Sequence, residues 1–214
     1  MVVFSMAVID EKPSRQKIIM LLKKTECMTV AELSRQIGIT PMAVRQHLMA
    51  LERQGIIRYV VKKSGIGRPV FLYRLTDKAD NIFPKAYEKL INDVFRALEK
   101  TDGKRKIEKI FELRKDRLLT EYRSAISNSN PLSTKVATLA DLLNADGYMV
   151  EMEETSKKFN LRLYNCPISG VAYEFGQACK YELQLYKELL NIDVQREQCQ
   201  REGAPACTYI IPKE

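Results

Sequence analysis

The 214-residue chain has a single histidine and five cysteines, and no apolar run approaches the length of a membrane span. It also has no C-x-x-C pair, no glycine-rich nucleotide loop and no histidine near a cysteine. Thiol oxidoreductase, nucleotide-dependent and Cys–His chemistry therefore lose their usual starting points, and no enzyme is expected. Residues 1–8 have no basic stretch of the secretory kind, and Asp10 and Glu11 follow at once. The expected location is the cytoplasm, where thiols stay reduced. Repeats and low-complexity stretches are missing too. A hydrophobic content of 45% excludes a disordered chain, and the length suits one large domain or two small ones.

The net charge of +8 is unevenly placed. Residues 1–76 hold 13 Lys/Arg against 5 Asp/Glu, whereas residues 77–214 hold 22 of each. A basic head on a neutral body points to a polyanion-binding module joined to a part with another task. Within the head, Ser14 to Lys24 reads as a helix with Ser14 as a possible N-cap and Ile18, Leu21 and Leu22 as its apolar stripe. Thr29 caps a second helix, with Glu32 three residues on as capping-box partner, and Gly38 stops it. Thr40-Pro41 opens a third, ended by Gly55, whose Val44, Leu48 and Leu51 point inward. This is helix-turn-helix spacing. The last helix then shows Met42, Ala43, Arg45, Gln46, His47 and Met49 to solvent, and Arg and Gln are the side chains that read guanine and adenine edges. His47 is read as a DNA-facing residue, and Thr40 stands at the same helix start. Cys27 reads as a small residue at a helix junction.

Residues 56–76 alternate in two runs, Ile57, Tyr59, Val61 and Phe71, Tyr73, Leu75, around the basic, glycine-containing tip 62–69. That is a β-hairpin, the wing of a winged helix, with Lys62, Lys63 and Arg68 placed to reach phosphates or the minor groove. Gly67-Arg68-Pro69 with Tyr73-Arg74-Leu75-Thr76 resembles the wing of DeoR/ArsR-like bacterial regulators. The expected partner is double-stranded DNA.

The rest divides into a helical segment and an α+β tail. Tyr87, Leu90, Ile91, Val94, Phe95 and Leu98 fall at helical spacing within 85–101, and Ile107, Ile110, Phe111, Leu118 and Tyr122 mark a second helix. These supply either a second core or a dimer seam; two operator half-sites favour the seam and a homodimer. After a loop at 127–131 come a helix through Val136, Leu139, Leu142 and Leu143 and a hairpin of 148–152 with 159–163, leading to Cys166. The expected fold class is α+β: winged helix-turn-helix in 1–80, helical linker or dimerisation segment in 81–130, and a cysteine-rich sensor domain in 131–214.

Four cysteines lie in the last quarter: Cys166, Cys179, Cys199 and Cys207. Clustered thiols in a reduced compartment suggest metal before disulfides, since a cation must neutralise buried thiolates. Cys179 falls on a helix running to about Leu190, and Cys199 and Cys207 flank the turn Gly203-Ala204-Pro205. Without close pairs, the spacing suits four separated ligands around a larger object, such as an iron–sulfur cluster, better than a zinc ribbon. Inert cysteines and structural zinc are the alternatives, the latter belonging to a regulator that senses a small molecule or a partner. A wholly apolar pocket among the strands 148–163 would mark such a regulator.

Asn165-Cys166-Pro167-Ile168, Val171-Ala172, Cys179 with Glu182-Leu183, Val194, Arg196, Gly203 and Cys207-Thr208-Tyr209-Ile210-Ile211 together resemble the SufR-type iron–sulfur regulators over nearly the whole chain. The resemblance implies a homodimer whose DNA binding is modulated by a [4Fe–4S] cluster in a redox sensor, with cluster-biogenesis or related redox genes as targets. By position, Cys166, Cys179 and Cys207 match three family ligands. The remaining family cysteine falls at about Ile192, so either Cys199 replaces it or the site has three thiolates and something else.

Overall fold

The computed structural model describes residues 13–62, 69–126 and 131–213. It divides into two compact units, Met1–Lys85 and Ala86–Glu214. In the first unit, α1 (Pro13–Thr25), α2 (Val30–Ile37) and α3 (Pro41–Arg53) precede β1 (Ile57–Lys62) and β2 (Val70–Leu75), followed by a short 3-10 turn at Asp77–Ile82. Local chemistry sets these boundaries. Proline occupies the first position of α1, which leaves Ser14 inside the helix instead of capping it. The Thr29 hydroxyl accepts from the Glu32 amide while the Glu32 carboxylate accepts from the Thr29 amide, a complete capping box. Gly38 ends α2 at φ 79°, a left-handed turn that glycine adopts without strain. The Thr40 hydroxyl accepts from the Ala43 amide and Pro41 takes the first position of α3. Thr29→Ala is expected to lower the stability of this unit by about 1 kcal/mol. Urea unfolding followed by circular dichroism checks it.

Ile18, Ile19, Leu22, Leu33, Val44, Leu48, Leu51 and Ile57 form the core of the unit. β1 and β2 pair antiparallel with Ile57 opposite Leu75 and Tyr59 opposite Tyr73. Met28 and Tyr73 exchange backbone hydrogen bonds of 3.0 and 2.9 Å, so the junction between α1 and α2 is stitched to the wing. The residues thus form the expected winged helix-turn-helix.

The second unit contains α4 (Tyr87–Asp102), α5 (Lys104–Arg123), α6 (Leu132–Ala145), β3 (Val150–Glu154), β4 (Lys158–Leu163), α7 (Ser169–Glu174), α8 (Gln177–Leu190), β5 (Gln195–Gln198) and β6 (Cys207–Pro212), with a 3-10 turn at Gln200–Glu202. Its antiparallel sheet runs β3-β4-β6-β5. Alternation buries Phe159, Leu161 and Leu163 together with Tyr209 and Ile211 on one face. Leu118, Leu119 and Tyr122 of α5, Val136 and Leu139 of α6, and Leu185, Tyr186 and Leu189 of α8 complete that core.

In place of the three-part division expected at residues 80 and 130, the chain divides once, between Lys85 and Ala86. α5 joins the sheet core with its apolar side. The stripe on α4 is itself shared out. Phe95 and Leu98 pack into a cluster with Ile107, Phe111 and Phe175, whereas Tyr87 and Leu90 stay 67% and 58% exposed, with Ile91 and Val94 beside them.

Candidate functional site

Two sites stand on these frames, one in each unit. In the first, Met42, Arg45 and Gln46 are exposed on α3 and His47 is half-buried, above the buried side of Val44, Leu48 and Leu51. Thr40 sits at the start of the helix as its cap. Lys62 is the last residue of β1 and is exposed. Lys63 and Arg68 lie outside the described residues. Arg45 borders an open groove of about 680 Å3 together with Thr29, Val30 and Ala31 at the start of α2 and Tyr59, Phe71 and Tyr73 of the wing. The helix start already holds an anion of its own, the Glu32 carboxylate of the capping box. Tyr59 and Phe71 stack edge to face at 5.1 Å and remain exposed, an apolar ridge beside the groove.

In the second unit, four cysteines from four parts of the chain meet. Cys166 lies in the turn between β4 and α7, and Cys179 in the first turn of α8. Cys199 follows β5, and Cys207 begins β6 opposite Leu163. All four line one cavity of about 220 Å3, whose other walls include Ser169, Tyr173, Gln200 and Arg201. Cys199 lies close enough to interact with both Cys179 and Cys207. The Gln200 amide donates to Cys207 Sγ at 3.3 Å, and its carboxamide donates to Tyr164 O at 3.0 Å and Pro205 O at 3.2 Å, which fixes the loop. Nothing in the sequence singled out Gln200. Ile192 is elsewhere, bordering a cavity of about 460 Å3 with Leu132, Phe159 and Lys213.

Burial pushes the Cys166 thiol up, and it pushes Cys179 and Cys207 up to about 12, with Cys199 adding to both. Cys166, Cys179 and Cys207 therefore stay protonated near neutrality until a cation replaces the protons. Arg196, on β5, donates to Cys179 O at 2.9 Å. Glu182, one turn along α8 from Cys179, accepts from Tyr148 at 2.9 Å and Tyr209 at 2.6 Å. Burial raises its pKa above the usual carboxylate value even though both tyrosine bonds oppose the rise.

No group of three or more His, Cys, Asp or Glu among the described residues is placed to hold a single metal ion. A tetrahedral zinc would need sulfurs at about 2.3 Å from a common centre. The donor set of four cysteines around a roomier cavity suits an iron–sulfur cluster. The cavity bordered by Tyr148 and Leu163 is about 20 Å3, space for about one water molecule, and Cys166, Cys179 and Glu182 also line it. It is not the wholly apolar ligand pocket that would have marked a small-molecule sensor.

The first unit is thus a winged helix with an Arg/Gln-bearing third helix beside an open groove. Residues 12–59 match the family described as bacterial regulatory protein, arsR family, so this unit is a DNA-binding domain of the winged-helix regulator type. Three solved structures illustrate the likeness. Lactococcus lactis ZitR in complex with DNA is 25% identical, with 52% of this chain and 77% of that one covered and a TM-score of 0.31. The adhesin competence repressor AdcR of Streptococcus pyogenes is 20% identical, with 50% and 81% covered and a TM-score of 0.30. A transcriptional regulator homologue from Pyrococcus horikoshii OT3 is 20% identical, with 41% and 85% covered and a TM-score of 0.30. No curated protein matches the chain. Among the described residues, no helix is long and apolar enough to cross a membrane.

Proposed function

We propose that the protein is a transcriptional regulator that binds operator DNA as a homodimer and is switched by an iron–sulfur cluster held by Cys166, Cys179, Cys199 and Cys207. The convergence of these four cysteines on one cavity carries the reading. A bound cluster supplies a redox-sensitive bridge between four thiolates.

The protein's own residues do the rest. Cys199 takes the place that the family resemblance left open at Ile192, because Cys199 lines the thiol cavity and Ile192 borders another. The Gln200 N–H bond to Cys207 Sγ stabilises a thiolate there, as outer-shell hydrogen bonds do at metal sites. On the DNA side, Arg45 and Gln46 face base edges, while Lys62 meets phosphates. The exposed stripe of Tyr87, Leu90, Ile91 and Val94 is the surface for the second copy, which sets the spacing of two recognition helices.

Anaerobic purification followed by a visible spectrum and iron, sulfide and zinc analysis tests the reading. The expected result is a brown protein with iron and sulfide in near-equal amounts. A colourless protein that holds zinc would overturn it and make the cysteines a structural clip.

A further inference from the structure

We infer that α7 links the cysteine site to α4, so that the ligation state of the thiols reaches the helix that leads out of the DNA-binding unit. The inference rests on the proposed role of the cysteines. Contacts run without a break on both sides of this six-residue helix.

On the cysteine side, α7 starts three residues after Cys166, and the Ser169 amide donates to Cys166 O at 3.0 Å. Tyr173 at its far end donates to Gln200 O at 3.1 Å, and Arg201 Nε donates to Tyr173 O at 3.2 Å. The helix is thereby bonded both to the turn of Cys166 and to the loop that carries Cys199 and Cys207. On the other side it meets α4. Asn92 Nδ2 donates to Gly170 O at 3.0 Å. Arg96 forks onto Glu174 with bonds of 2.5 and 2.7 Å. Phe95 meets Phe175 edge to face at 5.2 Å. Cys166 and Cys179 belong to the same apolar cluster as Phe95, Leu98 and Phe175.

Asn92 is buried with its Oδ1 lacking a hydrogen-bond partner, a costly arrangement to keep in a seam that only had to be stable. A helix this short has little stability of its own, so it follows whichever neighbours hold it. Drawing the four thiolates onto a common body fixes Cys166 relative to Cys199 and Cys207. That fixes α7 from both ends, and Asn92 and Arg96 carry the constraint to α4. α4 begins at Tyr87, just past Lys85, where the DNA-binding unit ends.

Coupling of this kind is reciprocal, so it is measurable from either end. In the metal-free full-length chain, Arg96→Glu sets a third carboxylate against Glu174 and Asp93, both of which Arg96 now holds. It is expected to speed iodoacetamide labelling of Cys166 and Cys199 by about fivefold or more, with Cys27 unchanged as internal reference. The charge swap R96E/E174R restores the original rate. With the cluster reconstituted from ferrous and ferric iron and sulfide, R96E keeps its iron but binds operator equally well loaded or stripped, whereas the swap recovers the wild-type difference. Unchanged labelling in R96E, or equal acceleration at Cys27, overturns the inference. So does a full wild-type affinity difference in that variant. Failure of the wild type to take up iron would instead count against the cysteine reading, and the labelling comparison would still decide the link through α7.

Discussion

Cys199→Ser is expected to remove iron and sulfide from the anaerobically purified protein as completely as Cys166→Ser, Cys179→Ser or Cys207→Ser. Cys199 is buried, lines the same cavity as the other three and interacts with both Cys179 and Cys207. Loss of a mere outer-shell partner costs roughly 10–100-fold in metal affinity, so loss of a ligand lies beyond that range. A serine hydroxyl is a poor replacement for a soft thiolate. Ile192→Cys in the C199S background is expected to restore nothing, because position 192 borders a different cavity. Iron and sulfide assays with the visible spectrum read the result. Retention of wild-type iron by C199S would show a site of three thiolates with a different fourth ligand.

Arg45→Ala is the largest expected effect on the other unit. Its guanidinium is exposed on α3 beside the groove, and on the proposed reading its two donors meet a guanine edge. Removing it is expected to cost about 1–3 kcal/mol for the best operator and to relax preference at one base pair. Lys62→Ala should behave differently, weakening all sequences alike and lowering the salt slope by about one ion. Fluorescence anisotropy with a duplex selected from a random pool, repeated over a salt series, separates the two. Equal behaviour of R45A and K62A would mean that Arg45 holds phosphate. Circular dichroism keeps track of folding, which neither exposed change is expected to disturb.

Legibility in the sequence follows the range of the interactions. The capping box of Thr29 and Glu32, the turn at Gly38 and the Thr40-Pro41 start each depend on residues a few positions apart, and each is legible from those few residues alone. The hairpins are equally plain, because alternation is local. The thiol site is half legible. Four thiols are visible in any sequence, but their meeting on one cavity depends on β4, α8, β5 and β6 coming together. The same holds for Glu182, whose partners Tyr148 and Tyr209 are 34 and 27 residues away. The partners of the helices expected at 81–130 are not legible for a related reason. An apolar stripe records that a helix buries one side without recording against what, and α5 faces α8 and the sheet.

The position of β6 bears on how the protein is made. It follows the other described strands in sequence, yet it lies inside the sheet, paired with β4 on one side and β5 on the other. During synthesis the earlier strands emerge with the gap between them unfilled, and Cys207 arrives with the strand that fills it. The DNA-binding unit is complete in sequence more than a hundred residues earlier, and domains generally fold in the order they leave the ribosome. A nascent chain therefore carries a finished DNA-binding head well before its thiol site closes, and insertion of any cluster has to wait for that strand.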